Sequence, residues 1–259
     1  MMVELKKISI FAWLNNKKMK IRIKICRLCF LVLGCVHLHG QNIGQQQLTD
    51  NSAADYLRIV DKQSPLYYGK IYEGHLRTTN HPFLKDEQFA KARLSYCRVI
   101  YPEVLLRLDL YRNELGIQSS DYQNIILFPE NLDYAELHGQ TIIYFRRDSL
   151  PGCPSTGYYT LLYSGNCKVL EKQTAVLQVT NDGNSRTTQH YVFSTRYYLY
   201  KDGVYYPIRS RRGLLNVLHP HKKELKRFIS SHGWQFRFRN DAERFIFLTV
   251  SEYEKLSGW

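Results

Sequence analysis

The residues best suited by type and spacing to do chemistry are a close histidine pair and two pairs of acids. The histidines flank a proline in His219-Pro220-His221; two such imidazoles can contribute to a metal site, but the proline splays them and no nearby carboxylate or thiol completes a ligand set. The acids, Asp86 with Glu87 and Glu130 with Asp133, are of a kind that any solvated loop carries. We therefore expect no metal site, no cofactor and no catalytic residue among them.

Common catalytic motifs are absent from the sequence. The chain contains no G-x-S-x-G, H-E-x-x-H, G-x-x-x-x-G-K-S/T or G-x-G-x-x-G segment. A catalytic site can still assemble from residues that are distant in sequence, because such sites are defined by geometry rather than by chain order. The sequence thus favours a non-catalytic protein and leaves a hydrolase with a non-standard site as the alternative.

Tyrosine accounts for 20 of the 259 residues, and many of these tyrosines lie in the later predicted hairpins. Because side chains alternate between the two faces of a sheet, some of the rings must face solvent. Exposed tyrosines form a flat, rigid, amphipathic surface that suits a glycan or a protein. We therefore identify Tyr198, Tyr200 and Tyr205 as candidate binding residues. The alternative is cross-strand tyrosine pairing that only stabilises the sheet, by up to about 1 kcal/mol per pair.

The N-terminal region indicates a secretory signal peptide within residues 1–40. After Met19, an alternative start, come four bases and then the uncharged run Leu28–Val36, which is the layout of a basic n-region and an apolar h-region. Cleavage after Gly40 would release an exported protein that is periplasmic, outer-membrane associated or secreted. Two alternatives are lipidation at Cys35, which ends a lipobox-like LVLGC, and a buried N-terminal helix of a cytosolic protein.

Positive charge is concentrated at the two ends of the chain. The net charge is +13, but without residues 1–40 the chain keeps 28 bases and 22 acids, a net charge of +6. Residues 196–244 hold twelve bases against four acids, and the densest group on one predicted helix is Lys222, Lys223, Lys226 and Arg227. Such a surface suits lipid head groups, an acidic glycan or an acidic protein, and a plain solvated face is the alternative. Nucleic acid fits the charge but not export, so we do not expect it as a partner.

If the protein is exported to an oxidising compartment, the cysteines that follow the predicted signal peptide can form a disulfide. These are Cys97, Cys153 and Cys167, an odd number, so at least one thiol is unpaired. In an oxidising compartment the nearest pair, Cys153 and Cys167, is the candidate disulfide, which would contribute about 3 kcal/mol. A two-residue turn at Gly165-Asn166 would set Cys167 opposite Ser164, however, and Cys153 would have to fold back to reach it. Three free thiols are therefore the alternative.

The sequence predicts a polar linker and short helix over residues 41–65, followed by an antiparallel β domain over residues 66–208. In the β domain, short alternating runs are separated by turn residues. The strongest turn signal is Asp202-Gly203, because both residues tolerate the positive φ of a type I′ turn; it would pair Tyr200 with Tyr205. His138-Gly139 predicts a second turn. A third is predicted at Tyr101-Pro102-Glu103, because proline cannot continue a ladder.

Residues 209–259 are predicted to form a basic helical segment packed on the β domain. Helices are expected over Arg211–Leu218, from Pro220 onward, and over Asp241–Leu256 with Asn240 as its cap. The expected fold class is α+β, predominantly antiparallel β in a meander or sandwich-like sheet, with a short N-terminal helix and two or three C-terminal helices.

With these elements in place, the chain resembles a loosely defined group of uncharacterised exported β-rich proteins of Bacteroidetes-type bacteria. The resemblance covers about residues 66–232 and rests on Leu66-Tyr67-Tyr68-Gly69, Gly157-Tyr158-Tyr159, Tyr197-Tyr198-Leu199 with Asp202-Gly203, and the basic helix through Lys222–Lys226. It implies no activity and no catalytic residue, because none is established for the group. The sequence therefore predicts an exported binding or assembly module for a protein or glycan of the cell envelope, with docking to an anionic membrane surface as a further alternative.

Overall fold

A computed structural model describes residues 64–258 apart from positions 120, 122, 182–186 and 234–236. The chain divides into two units, Met1–Ser64 and Pro65–Trp259, and nearly all described residues belong to the second. The predicted signal peptide, the lipidation candidate Cys35, the linker and the N-terminal helix lie outside the described residues. No described helix is both long and apolar enough to cross a membrane.

The described strands form one antiparallel sheet of eleven strands. In chain order they are β1 Lys70–Ile71, β2 Ala90–Tyr96, β3 Val99–Asp109, β4 Glu114–Gln118, β5 Asn124–Ile126, β6 Leu132–Leu137, β7 Gln140–Phe145, β8 Gly157–Ser164, β9 Lys168–Asn181, β10 Thr187–Lys201 and β11 Val204–Ile208. Across the sheet the order is β1-β5-β4-β3-β2-β6-β7-β8-β9-β10-β11. Two meanders thus join where β2 pairs with β6, and the predicted predominance of antiparallel β structure is confirmed.

Three α-helices follow the strands in the described part of the chain: α1 Arg211–Val217, α2 Lys222–Ser231 and α3 Ala242–Leu256. The predicted helices at the C-terminal end are confirmed, but two details differ. Helix α2 begins at Lys222, because Pro220 lies in the turn that follows α1. The cap of α3 is Asp241 rather than Asn240, since the Asp241 carboxylate accepts a hydrogen bond from the Arg244 N–H at 2.9 Å.

The reversal between β2 and β3 is not at the predicted turn. The chain turns at Cys97-Arg98, where both residues have positive φ (52° and 64°), and Pro102 lies inside β3. The pairing register shifts between Ala92 and Leu94, where Pro102-Glu103 opposes the single residue Arg93. Such a bulge takes one residue out of the ladder, and a proline is tolerated there because no hydrogen bond is lost.

Two other predicted turns are confirmed. Asp202-Gly203 has φ values of 51° and 80°, and His138-Gly139 has values of 51° and 74°, the left-handed pairs that a type I′ turn requires. The first turn pairs Tyr200 with Tyr205, as predicted. Local turn chemistry therefore sets the register of the last hairpin.

Two hydrophobic clusters form the core. The first is formed by residues of the strands. Its fully buried members, each 0% exposed, include Leu94, Tyr96, Leu106, Leu115, Leu137 and Ile142. The second joins the helices to the sheet and includes Val169, Leu199, Ile208, Leu214, Leu225, Ile229, Phe245 and Val250. Because Leu199 packs under the helices, the alternating residues Tyr198 and Tyr200 point to the opposite face of the sheet.

The connection between β8 and β9 is one residue longer than predicted. Ser164 pairs with Lys168, so three residues, Gly165 to Cys167, make the turn. Helix α3 packs on this turn, since the Cys167 N–H donates to the Glu254 carboxylate at 2.5 Å. A Cβ at Gly165 would lie 2.2 Å from the same carboxylate, so a larger residue would displace the Glu254 side chain.

The candidate disulfide between Cys153 and Cys167 is not formed: both thiols are free, as is Cys97. Cys167 is buried in the cluster beneath the helices, and this burial raises the pKa of its thiol to about 11. Cys153 lies in the loop over residues 146–156, which bonds to the Tyr205 N–H of β11, and its Sγ accepts from the Asp148 N–H at 3.3 Å. The two thiols therefore have different surroundings, one in the core beneath the helices and the other in a loop.

Candidate functional site

The three candidate tyrosines lie together on the side of the sheet opposite the helices. Tyr200 pairs with Tyr205 across the last hairpin, and Tyr198 precedes Tyr200 by two residues on the same strand, so all three project from one face. We call these residues, with Phe145 of β7 and Tyr159 of β8, the tyrosine face. The strand pairing thus brings the predicted residues into one surface.

The rings of the tyrosine face touch in a continuous series. Ring centroids are 4.8 Å apart for Tyr200 and Tyr205, 5.5 Å for Tyr205 and Phe145, 5.6 Å for Phe145 and Tyr159, and 6.2 Å for Tyr159 and Tyr198. Tyr159 is 1% exposed, whereas the other four are half-buried. The face therefore combines cross-strand ring contacts, which stabilise the sheet, with partly exposed rings, which a ligand could contact.

The loop over residues 146–156 borders the tyrosine face. The Tyr205 N–H donates to the Pro151 carbonyl at 2.9 Å, and the Tyr159 hydroxyl donates to the Ser155 carbonyl at 2.7 Å. Gly152 has a φ of +69°, and a Cβ there would lie 2.0 Å from the Tyr205 carbonyl oxygen. Burial and the nearby Asp148 raise the pKa of Tyr205 to about 12, so its phenol stays neutral and available for hydrogen bonds.

Positively charged side chains of β9 and β10 lie beside these rings. Arg196 is exposed and pairs across the strands with Lys172, and Lys168 Nζ lies 5.8 Å from the centroid of the Tyr200 ring. Lys172 is itself buried, with its Nζ 4.7 Å from the centroid of the Tyr159 ring. Aromatic rings with nearby cations attract ligands that carry both apolar surface and negative charge.

The four candidate bases of α2 are not equivalent. Leu225 and Ile229 turn one side of the helix into the core, which leaves Lys223, Lys226 and Arg227 exposed. Lys222 is half-buried and donates to the Asn216 side-chain oxygen at 2.7 Å. Because α2 packs on the helix-covered side, these bases and the tyrosine face lie on opposite sides of the sheet. The structure therefore does not join the two predicted sets into one site.

A buried polar network, absent from the sequence interpretation, links three distant residues. His75 Nε2 lies 2.5 Å from Asp109 Oδ2, and His75 Nδ1 lies 3.1 Å from the Tyr191 hydroxyl. In the tautomer that carries its proton on Nε2, the hydroxyl donates to Nδ1 and the Nε2–H donates to the carboxylate, an acid–histidine–hydroxyl arrangement. The Tyr72 hydroxyl also donates to Asp109 Oδ2, at 3.1 Å. No local motif could have predicted the network, because its members are 34 and 82 positions apart.

The contacts of this network fit a tether better than an active site. Asp109 is 1% exposed and Tyr191 4% exposed, and burial and Asp109 raise the pKa of the Tyr191 phenol, which makes it a poor nucleophile. The network fastens the segment over residues 72–82, which we call the strap. A second attachment lies beside it, where the Asn80 side chain bonds to both the Tyr191 N–H and carbonyl, at 2.7 and 2.8 Å.

The histidine pair and the acid pairs make hydrogen bonds and packing contacts that are common on protein surfaces. His219 is exposed, and the His221 ring packs edge-on against Tyr253 with centroids 5.8 Å apart. The Asp86 carboxylate accepts from a loop N–H, and Asp133 accepts from the Ser95 hydroxyl at 2.9 Å. Among residues 64–258, with the gaps given above, no three His, Cys, Asp or Glu side chains cluster as a metal site would require.

Replacing Tyr191 by phenylalanine tests the tether. The change leaves the buried Nδ1 of His75 without its partner, and we expect the free energy of unfolding to fall by about 1–2 kcal/mol. Tyr111→Phe is the matched control, because its ring also packs on His75 while the side chain is 44% exposed; it should cost less than about 0.5 kcal/mol. Urea unfolding of both variants measures the difference. Equal stability, together with loss of a wild-type esterase or peptidase activity in Tyr191→Phe, would support a hydrolase instead.

Lys172 gives the fold a specific pH dependence. Its Nζ donates to Asn113 Oδ1 at 2.6 Å and to the Tyr158 carbonyl at 3.0 Å, but burial lowers its pKa from 10.5 to about 8. Between these values the unfolded chain binds the proton and the folded chain does not, so stability should rise as pH increases from about 8 to about 10.5. Urea midpoints should rise across this window less in Lys172→Met than in the wild type, whereas Lys223→Met, at an exposed lysine of α2, should keep the wild-type slope. Identical slopes in all three proteins would contradict this assignment.

Comparisons of this chain with protein-family models, with curated proteins and with solved structures find no match. The resemblance to exported Bacteroidetes-type proteins therefore stays a prediction.

Proposed function

We propose that this chain is an exported protein of the bacterial cell envelope and acts as a non-catalytic binding or assembly module for a protein or glycan. The N-terminal pattern of bases followed by Leu28–Val36 supports export to the periplasm, the outer membrane or the outside of the cell. Lipidation at Cys35 is the alternative anchor. The resemblance to exported Bacteroidetes-type proteins agrees with this location.

The observation that carries the proposal is the tyrosine face. Its half-buried rings offer apolar surface, and its phenols offer hydrogen bonds, at little cost in side-chain entropy because ring contacts already restrain them. Lys168 and Arg196 add positive charge beside the rings. A sugar can pack its C–H face on such rings and bond its hydroxyl groups to the phenols, and this makes a glycan our first choice of ligand.

Alanine substitution on the tyrosine face tests this function. Tyr198→Ala and Tyr200→Ala should each weaken binding to a printed array of bacterial surface glycans by about tenfold or more, since a lost anchor costs at least about 1.4 kcal/mol. Tyr68→Ala, at a tyrosine that is 61% exposed and outside the face, should bind like the wild type. Thermal melting must accompany the binding measurements, because both substituted rings are half-buried.

Two results would refute the tyrosine face as a glycan site. One is a wild-type protein that binds no glycan on the array. The other is a loss of binding that follows the loss of folded protein in each variant, which would mean that the rings only stabilise the sheet.

A second candidate function, docking to an anionic membrane surface, is favoured by the exposed bases of α2. Lys223, Lys226 and Arg227 project from a helix whose opposite side is held in the core. Each base near an anionic surface contributes about 1 kcal/mol, and salt screens the attraction. The helix therefore presents a small, rigid, positively charged surface on the side of the sheet away from the tyrosine face.

Vesicle sedimentation separates this function from the first. The wild type should bind phosphatidylserine-containing vesicles, release them as salt increases, and ignore purely phosphatidylcholine vesicles. Replacing Lys223, Lys226 and Arg227 by glutamine should abolish the binding, whereas the same charge change at Lys85, Lys91 and Arg93, which are exposed on or near β2, should not. Salt-insensitive binding, or equal loss in both triple variants, would contradict docking through α2.

A further inference from the structure

A separate cleft lies beside the turn between β3 and β4. It has a volume of about 230 Å³ and is lined mainly by Lys70, Arg112, Asn113, Glu114, Tyr144 and Tyr158, with residues 126–129 forming one wall. None of the tyrosine-face residues or the bases of α2 lines it. Its volume is below the roughly 300 Å³ at which sites for drug-sized ligands begin, so it suits one small ring rather than an extended chain.

The cleft is formed by the close approach of three parts of the sheet. Gly69 allows β1 to lie against β5, because a Cβ there would come within 2.2 Å of the Ile126 carbonyl oxygen; this places Lys70 at the rim. The rings of Tyr144 and Tyr158, which also line the cleft, meet edge-on with centroids 5.1 Å apart. The contact between them makes the two rings one apolar part of the lining.

Positive charge exceeds negative charge in the cleft. The Arg112 guanidinium donates to the carbonyls of Glu73 and Gly74, which are neutral acceptors. Its charge and that of Lys70 act on Glu114, which carries one negative charge against their two positive ones. The Lys70 side chain is exposed and makes no hydrogen bond or ion pair with any residue that the structure describes, although its backbone pairs with Ile126. Glu114 is the only acid in the lining, and one of its carboxylate oxygens is buried without a hydrogen-bond partner.

These groups match the parts of one ligand class. Two cations outnumber the one acid, which favours an incoming anion, while the acid can still accept a hydrogen bond from a hydroxyl group. Tyrosine rings beside them suit the C–H face of a sugar. A neutral sugar would leave the cations without a partner, and a simple inorganic anion would leave the rings unused.

We propose that this cleft binds a sugar that carries a carboxylate, a uronic acid, with the carboxylate toward Lys70 and Arg112 and the hydroxyl groups toward Glu114. The site is distinct from the tyrosine face and does not depend on it. The ligand is a free uronate or the uronate end of a glycan, two sources that share this chemistry.

Calorimetric titration of the full chain with glucuronate, glucose and a glucuronate-terminated disaccharide tests the proposal. Glucuronate should bind saturably, at least about tenfold more tightly than glucose, which corresponds to about 1.4 kcal/mol. Lys70→Gln should weaken glucuronate binding about tenfold and leave glucose unchanged, while Lys91→Gln, at an exposed lysine of β2, should have no effect. The disaccharide will bind more tightly than glucuronate if the source is a glycan, and no better if it is the free acid.

Three results would overturn the proposal: no saturation at millimolar glucuronate, equal affinity for glucose, or unchanged affinity in Lys70→Gln. Because Lys70 is exposed, the variant should fold, and its melting temperature verifies this. Tyr198→Ala should bind glucuronate like the wild type. A failure of the tyrosine-face function would therefore be distinguishable from a failure at the cleft.

Discussion

The turn between β3 and β4 is the constraint on which most of the described structure depends. Asp109 accepts hydrogen bonds from the N–H groups of Tyr111 and Arg112, each at 2.9 Å, and its other oxygen holds the strap through His75. The Leu110 N–H donates to the strap at the Pro82 carbonyl, and the Leu110 carbonyl accepts from β9. The turn thus connects the strap and the adjacent strands β3 and β4 to β9, which is far from them in the order of the sheet. The buried Asp109 carboxylate is tolerated because two N–H groups, His75 and the Tyr72 hydroxyl bond to it.

Asn113 completes this turn and connects it to β8 and β9. It has a φ of 56°, a conformation that asparagine adopts more readily than most residues, and its side-chain oxygen accepts from the Tyr158 N–H and from Lys172 Nζ. The lysine fits because Gly157 lacks a Cβ, which would lie 2.3 Å from Nζ. A left-handed turn residue, a glycine and a buried amine are therefore one structural unit, although they are widely separated in the sequence.

The sequence allowed prediction of those features that depend on neighbouring residues. Asp202-Gly203 specifies its own turn and, through it, the register of the last hairpin, and the helix α3 follows from its own apolar period. The β2–β3 turn could not be predicted, because Cys97 and Arg98 are not turn formers and are held at positive φ by pairing on either side. The sequence identified the tyrosines of the last hairpin but did not predict that they would be half-buried. They are half-buried because Phe145 and the loop over residues 146–156, from another part of the chain, pack against them. The strap network and the cleft depend wholly on such distant contacts.

The two candidate ligand sites differ in how they relate to this turn. The tyrosine face combines β10 and β11, whose register is set locally, with Phe145 of β7 and Tyr159 of β8. A ligand there would contact four neighbouring strands. The cleft is lined by Arg112, Asn113 and Glu114, which belong to the turn itself or follow it directly. A ligand that binds only the folded cleft stabilises the fold by mass action, and here it would hold the residues that also carry the strap and Lys172. Binding at the cleft therefore acts on the turn directly. Binding at the tyrosine face reaches the turn only through Lys172, whose Nζ lies 4.7 Å from the centroid of the Tyr159 ring and donates to Asn113.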